Sequence, residues 1–365
     1  MTEKNQKTVY VGLSGGVDSS VSALLLKEQG FQVVGVFIDT WHPDFLECTA
    51  GDDRRDAMRV CDVLNIPFKV FDAKARYKNK VADYMIGEYG AGRTPNPDIM
   101  CNKHVKFGIF FDWATEQGAD MVATGHYARV RKVKKPNGKT EHHLLKGKDK
   151  NKDQSYFLWA VSAEVFSKVV FPIGEMEKKN VRKTAESSGL PTATKKDSQG
   201  ICFLGKVDIK QFLSHYIPSK KGDVIDEGGS VIGFHDGAHF YTIGQRHGFT
   251  VEKKSPDSSP FYITGKDISK NILRVSANPR GNATKEIFLS NENRIPEEAF
   301  HEFEGKSVSC MIRYRQADVP CRFSLEKSGT VIVPKRPLHN TAPGQSLVIY
   351  KDERCIGGGI IDKIN

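Results

Sequence analysis

The stretch TVYVGLSGGVDSSVSALLLKEQG (8–30) constrains the fold most. A short apolar run meets a turn of serines and glycines. An amphipathic stretch follows with Val17, Val21, Leu24 and Leu25 on one face, stopped by Gly30. That order is strand, tight turn, helix. FQVVGVFID (31–39) is a second β-branched run, RRDAMRVCDVL (54–64) reads as helix and FKVFD (68–72) as a third strand. A helical region at about 103–117 precedes a fourth strand, DMVATG (120–125). Strands alternating with helices predict an α/β fold, a doubly wound parallel sheet with helices on both faces.

After about residue 205 glycine turns become frequent (DEGGSVIG, FHDGAHF, YTIGQRHG), and no long helix is expected beyond about 217. From 285 onward SVSCMIRYRQ, VPCRFSLE, TVIVP and QSLVIYKDERCIGGGIID alternate as strands do. The expected organisation is a catalytic α/β domain over 1–205, a small β-rich central domain over 206–283 and a C-terminal β-barrel over 284–365. Cys310 and Cys321 alternate in phase with apolar neighbours and are expected to face the barrel interior as small hydrophobes.

The chain carries 54 Lys+Arg against 44 Asp+Glu, a formal net charge of +10, and the excess favours a polyanionic partner. Basic runs cluster in RVRKVKKPNGK (129–139), KGKDKNK (146–152), KKNVRK (178–183) and TKK (194–196), a pattern that suits nucleic acid. No apolar stretch is long enough for a membrane span, and the polar N-terminus lacks the apolar core of a secretory signal, so a cytoplasmic protein is expected. The seven cysteines include no C-x-x-C, which argues against a disulfide framework or an all-cysteine zinc site.

A strand-to-helix turn presents main-chain N–H groups and a helix N-terminus to an anion, and phosphate is the natural guest. Neither G-x-x-x-x-G-K-[ST] nor G-x-G-x-x-G is present, although Asp39 stands where a ribose-reading acid would in a dinucleotide site. Instead SGGVDS (14–19) resembles the PP-loop of ATP pyrophosphatases, which implies an adenine nucleotide α hydrolase-like domain. Such enzymes cleave ATP between the α and β phosphates and activate a carbonyl oxygen as an adenylate.

Cys101 in GRTPNPDIMCNKHVKFG (92–108) and Cys202 in KKDSQGICFLG (195–205) lie in expected loops close to Lys103, His104, Lys195, Lys196 and Lys206. Cationic neighbours favour the thiolate. TPNPDIMCN, ATGHYAR, KDQSYFL, DSQGICF, YTIGQRHG and RYRQ, in that order, make the chain similar to the tRNA 2-thiouridylase family over nearly its whole length. In IDTWHPDFLECTAGDD (38–53) the likeness is confined to CTA-x-DD, and no role follows for His42 or Cys48.

The resemblance implies ATP-dependent replacement of the C2 oxygen of a wobble uridine by sulfur. It implies that Cys202 carries a persulfide, that Cys101 is the nucleophile completing transfer, and that Asp98 is an acid/base near the uridine. Two routes stay open. The terminal sulfur of Cys202 attacks C2 directly and Cys101 then closes a disulfide, or Cys101 first releases hydrosulfide. The implied ATP pocket is Gly12, Leu13, Ser14, Gly15, Gly16, Val17, Asp18, Ser19, Ile38 and Gly125, with Mg²⁺ accompanying ATP and no permanent cofactor or protein-built metal site. Asn96, Pro97 and Asp98 line the implied base pocket. His126, Lys152, Asp153, Gln154, Arg313, Tyr314 and Gln345 are the implied tRNA contacts on the anticodon arm. The implied sulfur donor is a cysteine desulfurase or a sulfur-carrier protein, and no membrane partner is expected. Two competing classes are a PP-loop synthetase or amidotransferase acting on a small-molecule carbonyl, and a non-catalytic RNA-binding module.

Overall fold

The computed structural model describes residues 6–46, 50–197, 200, 202, 204–205, 208–252, 259–281, 283–327 and 329–365. Cys48, Lys206 and most of DSQGICF lie outside them. The first strand, β1 (Thr8–Leu13), is apolar because both its faces are covered. Val9, Val11 and Leu13 join one core with Val33 and Phe37, while Tyr10 joins another with Val36 and Ile38. Helix α1 (Val17–Glu28) packs on the first of these cores. Gly30 at φ +85° turns the chain, with its N–H donating to Lys27 O, and terminates α1 as glycine does at a helix end. Leu25 packs partly buried against this core beside Val17, Val21 and Leu24, and Leu26, not expected on that face, is buried in it as well.

Strands β2 (Gln32–Asp39), β3 (Phe68–Asp72) and β4 (Met121–Thr124) follow, with helix α2 (Ala50–Val63) between β2 and β3. A hairpin, β5 (Ala128–Lys134) and β6 (Thr140–Lys146), precedes the short β7 (Val169–Val170). The main sheet is parallel with strand order β3-β2-β1-β4-β7. The order reverses between β1 and β4, so a crevice opens outside their carboxyl ends. Under β2, a Cβ at Gly35 would lie 2.3 Å from Cys61 Sγ, which identifies Cys61 as a packing residue. Burial pushes its thiol up to about 12.

Between β3 and β4 the chain is helical, but not as a simple α-helix. Pro97–Cys101 is α-helical, Asn102–Ile109 is π-wound with a kink at Gly108, and Phe110–Glu116 is α-helical again. Cys101 therefore stands on a helix rather than in the expected loop. Pro97 occupies the first turn, where its missing N–H costs nothing, and so opens a helix instead of breaking one.

The central sheet holds strands Gly222–Ile225, Val231–His235, Thr250–Val251, Tyr262–Asp267 and Ile272–Ser276. Six C-terminal strands, Ile287–Arg294, Val308–Met311, Val319–Glu326, Gly329–Pro334, Ser346–Lys351 and Arg354–Ile364, form a barrel closed by pairing of the first with the last. Cys310 and Cys321 lie in its interior. A short helix, Glu297–Phe303, interrupts what the sequence reads as continuous strand. The hairpin β5–β6 joins the barrel's sheet through Leu145 opposite Arg354, so the barrel is tied to the catalytic unit through hydrogen-bonded strands.

Candidate active site

The loop after β1 is shaped by its own hydroxyls. Ser19 Oγ accepts from Ser14 N–H at 3.2 Å and donates to Gly16 O at 3.1 Å, and Ser20 Oγ donates to Gly16 O at 2.8 Å. Gly16 caps α1 with no side chain on the first-turn N–H groups, which leaves them for an anion. Gly15 sits at φ +67°, and a Cβ there would lie 2.3 Å from the Asp53 carbonyl oxygen. At Gly125 a Cβ would lie 2.6 Å from Ser19 N. A Cβ at Gly12 would touch Phe110, Ile38 and Thr124 at 3.5 to 3.7 Å. Gly12 to Ser19, Ile38 and Gly125 are thus gathered at the carboxyl ends of β1, β2 and β4, at the crevice.

Asp18 does not project freely. Its carboxylate accepts from Tyr127 OH at 2.7 Å and from Lys178 Nζ at 2.7 and 2.8 Å. Lys178 opens helix Lys178–Ser187, which packs against α1 through Val181 and Ala185. The same ammonium is 2.9 Å from Asp197 Oδ1, and Lys152 Nζ is 2.6 Å from Asp197 Oδ2. Arg182 also binds Asp197. Although some burial opposes it, hydrogen bonds from Lys152 and Lys178 hold the Asp197 carboxyl far below the usual range. Lys195, an expected neighbour of the thiol, is instead 2.8 Å from Asp53 and 2.6 Å from Asp56 on α2.

The two cysteines meet. Cys101 Sγ, fully buried, lies 3.7 Å from Cys202 Sγ, although 101 residues separate them. The segment bearing Cys202 is held at both main-chain groups. Its N–H donates to Asp98 Oδ1 at 2.8 Å, and its carbonyl accepts from Tyr77 OH at 2.6 Å. A hydrogen bond from the Cys101 thiol pulls Cys202 down to about 7; burial opposes this, and the Lys106 ammonium adds to it with its charge and a hydrogen bond. Burial pushes Cys101 the other way, well up, and its role as donor to Cys202 adds to that. At neutral pH a thiol near 7 is about half thiolate, whereas one at 9 is about 1% thiolate. Of the pair, Cys202 is therefore the more readily ionised and Cys101 the more firmly protonated. Burial also raises the Asp98 carboxyl, against the Cys202 N–H hydrogen bond and the Lys106 charge.

Lys103 and His104 are not the thiols' cations. Burial and the charges of Lys103, Lys80 and Arg76 push His104 down to about 4. Lys106 and Tyr77 carry the contacts described above and were not singled out in the sequence, and Lys178 was seen there only as part of the basic run 178–183.

Several expected tRNA contacts are engaged within the protein. His126 is buried, with Nδ1 2.7 Å from Thr124 Oγ1 and its ring 5.8 Å from that of Phe107, on the π-wound segment after Cys101. Asp153 accepts from Gly147 and Ser155 N–H, and Gln154 Oε1 accepts from Tyr127 N–H at 2.9 Å. Arg313 donates to Ile243 O at 2.9 Å and Asn340 O at 2.7 Å, joining the barrel to the central unit. The Tyr314 ring packs 4.6 Å from that of Phe157, whose carbonyl accepts from Asn102 beside Cys101. Gln345 stands half-buried before strand Ser346–Lys351. The motif GRTPNP is clasped by the other two units: Thr94 N–H donates to Pro343 O at 2.9 Å, and its hydroxyl is 3.2 Å from that of Thr242. Asn96, whose side chain hydrogen-bonds that of Tyr156, caps the helix that Pro97 and Asp98 begin.

The family model described as tRNA methyl transferase HUP domain matches residues 7–206. Those described as tRNA methyl transferase PRC-barrel domain and Aminomethyltransferase beta-barrel domain match 210–277 and 289–361. The chain is 43% identical to the tRNA-specific 2-thiouridylase MnmA of Enterococcus faecalis over 100% of this chain and 97% of that one. It is 44% identical to the protein of the same name from Streptococcus pyogenes serotype M3, over 99% of this chain and 97% of that one. Among solved structures, a 4-thiouridine synthetase–RNA complex with bound ATP is similar over 58% of this chain and 50% of that one, at 19% identity and a TM-score of 0.36.

Proposed function

We propose, from the premise that the chain belongs to the tRNA-specific 2-thiouridylase family, that it exchanges the C2 oxygen of a tRNA wobble uridine for sulfur at the expense of ATP. A uracil C2 carbonyl is a poor electrophile, and oxide cannot leave. Attack of that oxygen on the α-phosphorus forms an O–P bond, expels pyrophosphate and leaves an adenylated uridine. The oxygen can then depart as part of AMP. Gly12 to Ser19, Ile38 and Gly125 hold the nucleotide, and the α1 N-terminus faces its phosphates.

Sulfur comes from a persulfide-bearing protein, a cysteine desulfurase or a carrier. The Cys202 thiolate attacks its outer sulfur and becomes a persulfide, the donor leaving as thiol. In the first route the terminal sulfur bonds to C2, AMP leaves, and Cys101 attacks Cys202 Sγ. The S–S bond to the product breaks, 2-thiouridine is released, and a Cys101–Cys202 disulfide remains for an external dithiol to reduce. In the second route Cys101 attacks first and frees hydrosulfide, which then displaces AMP from C2. Both end in the same disulfide. The observation that carries the reading is the 3.7 Å approach of the two sulfurs. A disulfide is about 2.05 Å long, so less than about 2 Å of movement closes it.

Asp98 protonates or deprotonates at the uridine, and Asn96 to Asp98 line the pocket for the extruded base, since C2 is out of reach in a stacked loop. Among the described residues no three His, Cys, Asp or Glu side chains are grouped to hold a metal. Mg²⁺ bound with the nucleotide would screen phosphate charge, and Asp18 in the first turn of α1 would be the carboxylate to hold it. His126, Lys152, Asp153, Gln154, Arg313, Tyr314 and Gln345 serve the anticodon arm, several by bracing the surface rather than by direct contact. The units of this reading are 1–205, 206–283 and 284–365, the barrel acting as a second clamp. A cytoplasmic setting supplies the dithiol reductant. No helix among the described residues is long and apolar enough to cross a membrane.

The test mixes purified protein, ATP, Mg²⁺, a cysteine desulfurase with cysteine, and unmodified tRNA, and follows 2-thiouridine. Wild type forms it; Cys101→Ser and Cys202→Ser each lose at least about a hundredfold in rate. Single variants matching wild type would overturn the mechanism, and pyrophosphate release without tRNA would favour a small-molecule synthetase.

A further inference from the structure

The phosphate loop contains no lysine, yet the reaction must expel pyrophosphate, a leaving group with several negative charges. A helix N-terminus contributes only about half a unit of positive charge. A full cation stands beside it. The Lys178 side chain is 12% exposed, and its ammonium lies within 2.9 Å of three carboxylate oxygens, two on Asp18 in the first turn of α1 and one on Asp197. The backbone under it is fixed as well, since Lys178 N–H donates to Asp149 Oδ2 at 3.0 Å. The Tyr127 hydroxyl donates to Asp18 Oδ1, one of the two oxygens that Lys178 binds.

The three contacts are not equivalent. Asp18 has Lys178 as its ion-pair partner. Asp197 is bound by Lys152 and Arg182 besides Lys178, so it stays paired if Lys178 turns away. An ammonium has three donors, and one can move while two stay. We propose that Lys178 contacts the β- and γ-phosphates of ATP, exchanging its bond to Asp197 for a phosphate oxygen while Asp18 keeps it at the loop. The ammonium meets the charge that builds on pyrophosphate as the bond between Pα and the bridging oxygen breaks. No proton need be transferred. Asp18 then has a second task, to hold the lysine that the loop itself lacks. This rests on the reading of the loop as an ATP site.

The test compares ATP with AMP, which has no β- or γ-phosphate, by calorimetry on the full chain in magnesium chloride. Lys178→Ala is expected to weaken ATP about 10- to 100-fold and AMP by less than about threefold. Lys178→Arg is expected to recover most of the ATP affinity. AMP binding also reports that the variant is folded. If Lys178→Ala and Lys178→Gln weaken ATP and AMP by the same factor, or leave ATP unchanged, the lysine has no phosphate contact and the proposal fails alone. If wild type binds neither nucleotide, the ATP reading fails with it.

Discussion

At the residue scale the account rests on two thiols shifted in opposite directions. Cys202 is held at about 7 by a hydrogen bond from Cys101, with Lys106 adding to it against burial. A lowered thiol is reactive above its pKa and loses about tenfold in thiolate per unit below it. Alkylation of Cys202 by iodoacetamide should therefore rise with a midpoint near pH 7 and level off by about pH 8. Cys101→Ala removes the donor, and Lys106→Gln the charge. Each should move the midpoint up by about one unit or more. A wild-type midpoint at the ordinary thiol value would contradict the division of roles. Cys101 and Cys202 stood out in the sequence as cysteines with basic neighbours, but the wrong cations were visible. Lys103 and His104 are close in sequence, whereas Lys106 is close in space. Five residues are about 140° apart around an α-helix, and the π-winding of Asn102–Ile109, which no sequence pattern announced, places Lys106 against the thiols instead.

At the element scale the strand–loop–helix unit was legible because three local signals agreed: an apolar run, a glycine turn and a helix stopped by Gly30. Its tolerances follow from the backbone. Gly15→Ala places a methyl group 2.3 Å from Asp53 O at a φ of +67°. The conformation alone costs about 1–2 kcal/mol, and the clash forces the loop open. Gly125→Ala intrudes between β4 and the first turn of α1, 2.6 Å from Ser19 N. Each should lower ATP affinity at least about tenfold while far-ultraviolet circular dichroism stays unchanged; unaltered ATP binding would show that the loop is not the nucleotide cradle. What the sequence hid at this scale was tertiary. Pro97 reads as a turn residue unless the helix it opens is known, and the burial of Leu26 beside the expected Leu25 depends on packing that no local pattern shows.

At the scale of the whole molecule, α/β, central β and barrel regions were readable from texture, but the pairing of β5–β6 with the barrel was not. Nothing local marks a hairpin at 128–146 as the neighbour of a strand at 354–364. Its sequence reads instead as a basic run, and the edge strand β5 does expose Arg131, Lys132 and Lys134. Charges on an edge strand also prevent unwanted pairing. The readings separate by experiment. If these residues bind tRNA, changing all three to Glu should weaken tRNA binding, lower its salt slope by about three, and leave ATP binding alone; an unchanged slope would leave edge protection as their role. The shared sheet has its own consequence. A protease site introduced between 281 and 287, once cut, should leave the barrel bound to the rest of the chain on native gel filtration. Separation of the fragments would contradict the strand pairing. The central claim concerns one oxygen atom: adenylation makes the uridine C2 oxygen the leaving group. Its most direct test is tRNA labelled with ¹⁸O at C2 of the wobble uridine, thiolated by the protein, with the AMP weighed by mass spectrometry. The account predicts one ¹⁸O in AMP for each 2-thiouridine formed; 2-thiouridine accompanied by unlabelled AMP would contradict it.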